Sequence, residues 1–486
     1  MNWLDDAIGF LSPEWGYRRQ KWREALRNYD AGNNERLNAN WRVINQSAEN
    51  TDRYSRDTVR ARARDLERNS DMMNGVAGAF RRNVIGAGFE LRADTDAPDI
   101  NEKIQELWKK WCKKKNCDVT ETQGLNDILR MLVQRKKIDG GILIVKRYSK
   151  TGIIPFKLQI LEVDELDSMQ IAPLHKGNRV VGGVEYNSWN KAERYYIRQY
   201  DVDGFGIGKP YCLEAEDVIF FFEKRRPSQL REMSDMTPTI TRIRDTNEFM
   251  TAVSVKERIM ACLSIFIKRA FPTVNGLPGR NSTERRISYE GKTLSPGMIK
   301  ELNQGDDVEV VNPNGQATDA TDYIKLNERL IASGQGLSYE SVSRDMSQST
   351  YSSARQGIIE DGITYGEDKE KILEILDEIY ETFIISAVLK GVIEIPKFWE
   401  QKEVYFKHHW VEKPKPWIDP AKEANANKIA LQTGQKTFSQ ICAENGRDWK
   451  ETIDEMADIA LYANEKGVTI GGVSGFAKEK QGGNDK

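Results

Sequence analysis

The stretch from Thr237 to Ala270 constrains this chain more than any other. Thr237 has the chemistry of an N-cap, and Pro238 follows at the first helical position, where proline is favoured. Ile240, Ile243, Met250, Val253, Met260, Leu263 and Ile267 recur at helical spacing, with no Gly or Pro before Pro272. The spacing predicts one helix of about 50 Å at 1.5 Å per residue. The sequence that follows, Phe271-Pro272-Thr273-Val274-Asn275-Gly276-Leu277-Pro278-Gly279, cannot continue it. By pattern alone this is a long amphipathic helix of a large domain, and its neighbours must say more.

A chain of 486 residues exceeds one compact domain, so two to four structural units are expected. Hydrophobic residues make up 39% and charged residues 30%, which leaves enough apolar surface for cores and no run long enough to cross a membrane. Met1 to Phe10 carries Asp5 and Asp6 and does not read as a signal peptide. Five scattered cysteines fit free thiols in a reducing compartment. Cys112 and Cys117 have no histidine nearby, and the adjacent His408 and His409 would point opposite ways on a strand, so no metal site is expected. The net charge of -2 conceals an asymmetry: residues 1–150 hold 29 Lys+Arg against 22 Asp+Glu, and the rest hold 43 against 52. Neither part is a polybasic tail.

A basic, Trp-containing segment spans residues 12–30, and an Asn-rich one follows. From Ser55 to Asn69 a helix is expected, with Arg56, Arg60, Arg64 and Arg68 on one line. Like charges at that spacing repel by a few tenths of a kcal/mol per pair. The line therefore suggests a partner surface, with a solvated face relieved by Asp57, Asp65 and Glu67 as the alternative. Helix at Met73–Asn83, a Gly86/Gly88 turn, strand at Phe89–Arg92, helices at Ile100–Lys115 and Leu125–Lys137 and strand at Ile142–Tyr148 come next. Phe156–Phe222 reads as β-rich. Beyond the long helix, Val308–Val311 is a strand, Asp319–Ala332 a helix, Gly334–Ser353 a polar loop and Ile358–Val388 a helix. A helical hairpin from Trp417 to near Gly467 precedes a Gly- and Lys-rich tail expected to be disordered.

No catalytic constellation emerges. Gly204-Phe205-Gly206-Ile207-Gly208-Lys209-Pro210 lacks the Ser or Thr after Lys and the helix that a phosphate loop needs, and reads as a hairpin tip. The acidic cluster Glu162, Asp164, Glu165 and Asp167 has no accompanying His motif. No enzyme, cofactor or metal is expected.

Arg60-Ala61-Arg62-Ala63-Arg64-Asp65-Leu66-Glu67-Arg68-Asn69 resembles the N-terminal signature of lambda-family phage portal proteins. Asn83-Val84-Ile85-Gly86-Ala87-Gly88-Phe89 is similar to the turn and strand that follow it in that family. Leu161-Glu162-Val163-Asp164-Glu165-Leu166-Asp167, Tyr351-Ser352-Ser353-Ala354-Arg355 and Ile418-Asp419-Pro420-Ala421-Lys422-Glu423 match in order further along. Gln348-Ser349-Thr350 and Gly334-Gln335-Gly336-Leu337-Ser338 depart from the family pattern in loop detail.

The resemblance implies an α+β portal fold assembled into a homo-oligomeric ring, usually of twelve subunits, at one capsid vertex of the virion. Double-stranded DNA would be packaged and later released through its channel. The implied plan is a wing (1–235), a first stem helix (236–270), a clip (271–315), a returning stem helix (316–333), a tunnel loop (334–356), a long helix with wing return (357–417), a helical crown (418–466) and a tail (467–486). It implies DNA contact from Ser347, Gln348, Ser349, Thr350, Tyr351, Ser352 and Arg355, and docking of the terminase large subunit by Arg280, Arg285 and Arg286 on an exposed clip. Arg56, Arg60, Arg64 and Arg68 become candidates for the subunit interface. Major capsid and scaffold proteins and a head-completion or adaptor protein are the other implied partners, with no membrane. A net-acidic second half suits a conduit that must pass a polyanion without holding it, because each phosphate neutralised by Lys or Arg strengthens binding. A packaging ATPase would need the missing phosphate loop. A capsid or scaffold component without a channel is the remaining alternative.

Overall fold

The computed structural model describes residues 45–149, 152–198, 208–261, 265–269, 306–310, 318–413 and 420–468, with a few positions between 12 and 21. Two compact units divide the chain: Met1–Tyr54 with Arg226–Gln229, and the remainder. In the first, the short helix Ala48–Asp52 starts where the Ala48 N–H donates to Ser228 Oγ at 2.9 Å, and the Arg226 guanidinium donates to the Gln46 carbonyl at 2.9 Å.

The second unit opens with helices α1 (Arg56–Asn69) and α2 (Asp71–Phe80), the latter running into a π-helical turn at Arg81–Ile85. Strand β1 (Phe89–Ala93), helix α3 (Pro98–Trp111) and helix α4 (Leu125–Asp139) follow. Then come β2 (Gly141–Tyr148), β3 (Phe156–Leu161), β4 (Arg179–Val181), β5 (Val184–Tyr186), β6 (Ala192–Ile197), β7 (Tyr211–Glu214) and β8 (Val218–Phe222). Helix α5 is Ile240–Ala261, β9 Ile265–Arg269, β10 Asp306–Val310, α6 Thr318–Gly334, α7 Tyr339–Ser343 and α8 Tyr351–Lys390. Strand β11 (His408–Glu412) and helices α9 (Pro420–Gln432), α10 (Phe438–Glu444) and α11 (Trp449–Glu465) complete it.

Strand β2 organises the core. Its run Gly-Ile-Leu-Ile-Val is buried on both faces, as a near-continuous apolar strand should be. Ile142 and Ile144 face a large helical core built from α2, α3, α4 and the second half of α8. Leu143 and Val145 face a smaller core shared with Val184, Tyr186, Tyr195, Ile197 and Leu213 of the four-stranded sheet β4-β5-β6-β7. Strand β2 is the centre of the antiparallel sheet β3-β2-β8. Strand β11 returns to pair antiparallel with β1, from Phe89↔Glu412 to Ala93↔His408.

The long helix is shorter than its periodicity predicts. Thr237 and Pro238 lie in a turn, where the Thr237 hydroxyl donates to the Ser234 carbonyl at 2.5 Å, and α5 begins at Ile240. Ile267 belongs to β9, whose β-branched Ile265 and Ile267 fit a strand, and β9 pairs with β10 from Ile265↔Val310 to Arg269↔Asp306. Helix α8 starts seven residues before Ile358, because Thr350 and Ser353 form a capping box. The C-terminal hairpin is three helices, with Gly434 and Gly446 left-handed after α9 and α10 and Thr437 and Asp448 capping the next. The hairpin tip expected around Gly204 lies outside the described residues up to 207; β6 and β7 on either side pair antiparallel.

Candidate channel segment and its anchors

Helices α5 and α6 form an antiparallel hairpin rooted in the core. At its root the Gln335 amide donates to the Asp235 carbonyl at 3.1 Å, and a Cβ on Gly334 would lie 3.0 Å from the Thr239 methyl. Further out, the Phe249 and Tyr323 rings meet at 4.5 Å. Pairing of 239 with 335 and 249 with 323 fixes the antiparallel direction.

The root is held by a buried ionic cluster. Lys136 is 2% exposed and lies 2.5 Å from Asp368, 3.3 Å from Asp235 and 3.2 Å from Glu223. Lys137 lies 3.1 Å from Asp368 and 3.3 Å from Asp235. Two cations thus tie α4 to the segment entering α5 and to the middle of α8. Burial alone would raise the Asp368 pKa, but Lys137 and Lys136 outweigh it and hold the carboxyl below its ordinary 3.8. Burial would lower that of Lys136, and Asp235 and Asp368 raise it instead.

Between α6 and α8 the polar segment is built around Asp361, itself 2% exposed. The Ser338 N–H donates to its Oδ1 at 2.6 Å, the Ser338 hydroxyl to its Oδ2 at 2.7 Å, and the Ser341 hydroxyl to the same oxygen. Ser338 also caps α7 by accepting from the Ser341 N–H at 3.3 Å. One carboxylate therefore fixes the short helix to the first third of α8. Gly336 turns the chain at φ 69°, and its carbonyl accepts from the Thr364 hydroxyl at 2.7 Å. Beyond α7 the Asp345 carboxylate takes the Ser347 N–H at 3.0 Å.

The residues expected to contact DNA divide into two groups. Ser349 donates to Glu340 at 2.7 Å, and Thr350 caps α8 by accepting from the Ser353 N–H at 3.3 Å, so both side chains are committed locally. Ser347, Gln348, Ser352 and Arg355 are exposed. Tyr351 is 45% exposed and carries the Lys422 ammonium of α9 at 4.9 Å from its ring centre. Tyr351, Ser352 and Arg355 stand on the opening turns of α8 rather than in a loop. Arg280, Arg285 and Arg286 lie outside the described residues.

The arginine line on α1 requires correction. Arg56 and Arg60 are each 6% exposed. Arg56 Nε donates to the Glu232 carbonyl at 2.9 Å. Arg60 pairs with Asp57 at 2.6 Å, Asp164 at 3.0 Å and Glu232 at 3.1 Å. Arg64 pairs with Asp139 at 2.7 Å, Asp164 at 2.6 Å and Glu162 at 3.1 Å. The line turns inward, where Arg60 and Arg64 meet Asp164 and Arg64 also meets Glu162 of the acidic cluster that the sequence left without a role, while Asp57, Asp139 and Glu232 supply their other carboxylates. Only Arg68 remains on the surface, 3.7 Å from Asp65. Among the described residues no group of His, Cys, Asp and Glu could hold a metal ion, and no helix is long and apolar enough to cross a membrane.

Among the described residues, β2 joins a helical core to a four-stranded antiparallel sheet, and a rooted helical hairpin leads to the polar segment between α6 and α8. The lambda family of phage portal proteins matches residues 34–367, well over half of the chain, and the chain belongs to that family. It is 25% identical to the probable portal protein of Halomonas phage phiHAP-1, over 89% of this chain and 86% of that one. It is 20% identical to portal protein B of Escherichia phage lambda, over 80% and 81% respectively. Among solved structures, a chain from the neck of a native GTA particle computed with C12 symmetry covers 79% of this chain and 93% of its own, at 13% identity and a TM-score of 0.43.

Proposed function

We propose that copies of this portal protein close into a ring and that double-stranded DNA passes through its centre, with α5 and α6 forming the channel wall and the 334–356 segment the constriction. The observation that carries this reading is the rooted hairpin. The chain leaves the core through α5, reaches the β9–β10 pair, and returns through α6 to the same buried Asp235–Gln335 junction. The clip, residues 271–315, with Arg280, Arg285 and Arg286, is assigned to docking the terminase. Docking of an adaptor and of capsid proteins at the ring's other surfaces belongs to the same reading. The exposed hydroxyl and amide groups of Ser347, Gln348 and Ser352 suit weak phosphate contact, because they hydrogen-bond phosphate oxygens without releasing counterions.

Negative-stain images of the purified chain should show rings with a central hole. Replacing Ser347 and Gln348 by lysine should leave the rings intact and slow DNA packaging several-fold, most at low salt. Thr350 is left alone in this test, since losing its cap would cost about 1 kcal/mol by itself. Packaging at the wild-type rate at every salt concentration would remove the segment from the channel.

A further inference from the structure

Two sets of charges have no counterpart inside the described residues. The first is basic. Arg82 stands in the π-helical turn and Arg344 at the end of α7, in the left-handed region at φ 59°. Both are exposed, and among the described residues neither guanidinium has an ion pair. Helix α7 is pressed onto the same side as that turn: a Cβ on Gly75 of α2 would lie 3.2 Å from the Val342 carbonyl oxygen. Partial burial first, and then the like charges of Arg344 and Arg81, lower the Arg82 pKa from its usual 12.5, which places the two other guanidinium groups in its neighbourhood.

The second set is acidic and lies on α8. Tyr365 marks the inward direction of that helix, its ring 5.4 Å from Phe80 and edge-on to it. At 3.6 residues per turn, Ile359, Ile363, Glu367, Glu370 and Glu374 point roughly 120° to 200° away from Tyr365. They form an outward ridge. Ile359 is 51% and Ile363 61% exposed. A Cβ on Gly362 or Gly366 would meet nothing within 4 Å. The lysines interleaved with these acids are engaged elsewhere: Lys369 pairs with Glu412 and Lys371 with Glu223. Among the described residues Glu367, Glu370 and Glu374 have no ion pair.

Arg82 lies two residues beyond Phe80, on the side that Tyr365 faces, while the ridge faces away. The two charge sets therefore cannot neutralise each other within one copy. We infer that the Ile359–Glu374 ridge of one copy seats against the Arg82–Arg344 patch of the next, a head-to-tail contact that joins copies around the ring. The inference rests on the ring reading above and names its contact faces. Every copy in such a ring offers one face of each kind. A second copy fits better than nucleic acid, because the exposed isoleucines and open glycines suit a packed protein surface and the ridge itself repels phosphate.

The test uses two full-length variants, Glu370→Arg/Glu374→Arg and Arg82→Glu/Arg344→Glu, with folding followed by thermal melting. All substituted side chains are exposed or half-buried charges outside the core. Ring content is read by mass photometry and negative stain. Wild type should form rings, and each variant alone should form at least tenfold fewer. An equimolar mixture should recover rings in which the variants alternate, since each reversed face then meets an opposite charge. Rings from either variant alone at the wild-type level would overturn the contact while leaving the ring reading intact. So would a mixture that does not recover although both variants are folded. Rings retained by the arginine variant, with DNA retention lost, would make the patch a phosphate contact instead. Absence of rings from the wild type would overturn the ring reading itself.

Discussion

At the scale of single residues, buried charge carries much of the architecture. Lys136 and Lys137 face Asp235, Asp368 and Glu223 in a volume nearly closed to water. Removing one partner from such a cluster leaves charge without compensation, which costs about 3–5 kcal/mol. Lys136→Met should lower stability by that order, read as a shift of the denaturant midpoint, and should loosen the root of α5. A pH effect comes from Glu185, which is fully buried. Burial would raise its pKa, but the Tyr196 hydroxyl at 2.5 Å, the Asn178 amide at 2.8 Å and the His175 and Leu174 N–H groups at 3.1 Å hold it at about 2. Because the folded value lies below the ordinary 4.5, this contribution is complete above 4.5 and is lost as pH falls from there towards 2. The melting temperature of wild type should drop across that window, and Glu185→Gln should be less stable at neutral pH with a flatter acid limb. Little of this was legible beforehand. An acidic residue in a strand, or a pair of lysines ending a helix, has the same one-dimensional signature whether solvated or buried. The arginine line on α1 was visible, but the carboxylates it meets come from as far as Glu232, which no spacing rule connects to it.

At the scale of elements, the sequence was a better guide. The periodicity marks α4, β2 and α6 to within about two residues, because each has an apolar face against the core and clear stop signals. It misplaced the end of α5: Ile240, Ile243 and Thr246 are buried and Met250 packs against the core, all in the first half of the helix, whereas Ile267, which the pattern counted with them, lies in β9. It also read residues 334–353 as one loop. Helix α7 is only five residues long and would not hold by itself. Asp361 supplies what its length cannot, from a stretch of acids that looks solvated. Asp361→Asn keeps the size and removes the charge that strengthens its three hydrogen bonds, so a loss of about 1–2 kcal/mol is expected. Limited proteolysis should then cut between Gly336 and Thr350 faster than in wild type, with the core fragments unchanged. Equal cleavage rates would show that α7 is held by its packing on α2 instead.

At the scale of the whole chain, the two cores are shared by distant segments. The helical core takes residues from Ala63 to Phe398, and strand β2 belongs to both cores. The antiparallel pairing of β1 with β11 encloses everything from Ala93 to His408, including the hairpin and the polar segment. Such distant pairing makes folding slow and leaves β1 with an open edge until its partner arrives. A chain truncated before His408 should stay aggregation-prone, recovered in the insoluble fraction, whereas removal of the residues after Glu412 should leave a soluble core. A soluble, two-state product from the shorter truncation would show that β11 is dispensable.

That same pairing sets an order on biosynthesis. The ribosome delivers β1 some 300 residues before the strand that closes it, so a nascent chain has made its hairpin and its polar segment before β1 can be paired. An abandoned or prematurely ended product therefore keeps β1 unpaired. In the ring proposed above, a product that aggregates through that open edge is removed before it could occupy a place in the assembly and leave the conduit with a defective wall.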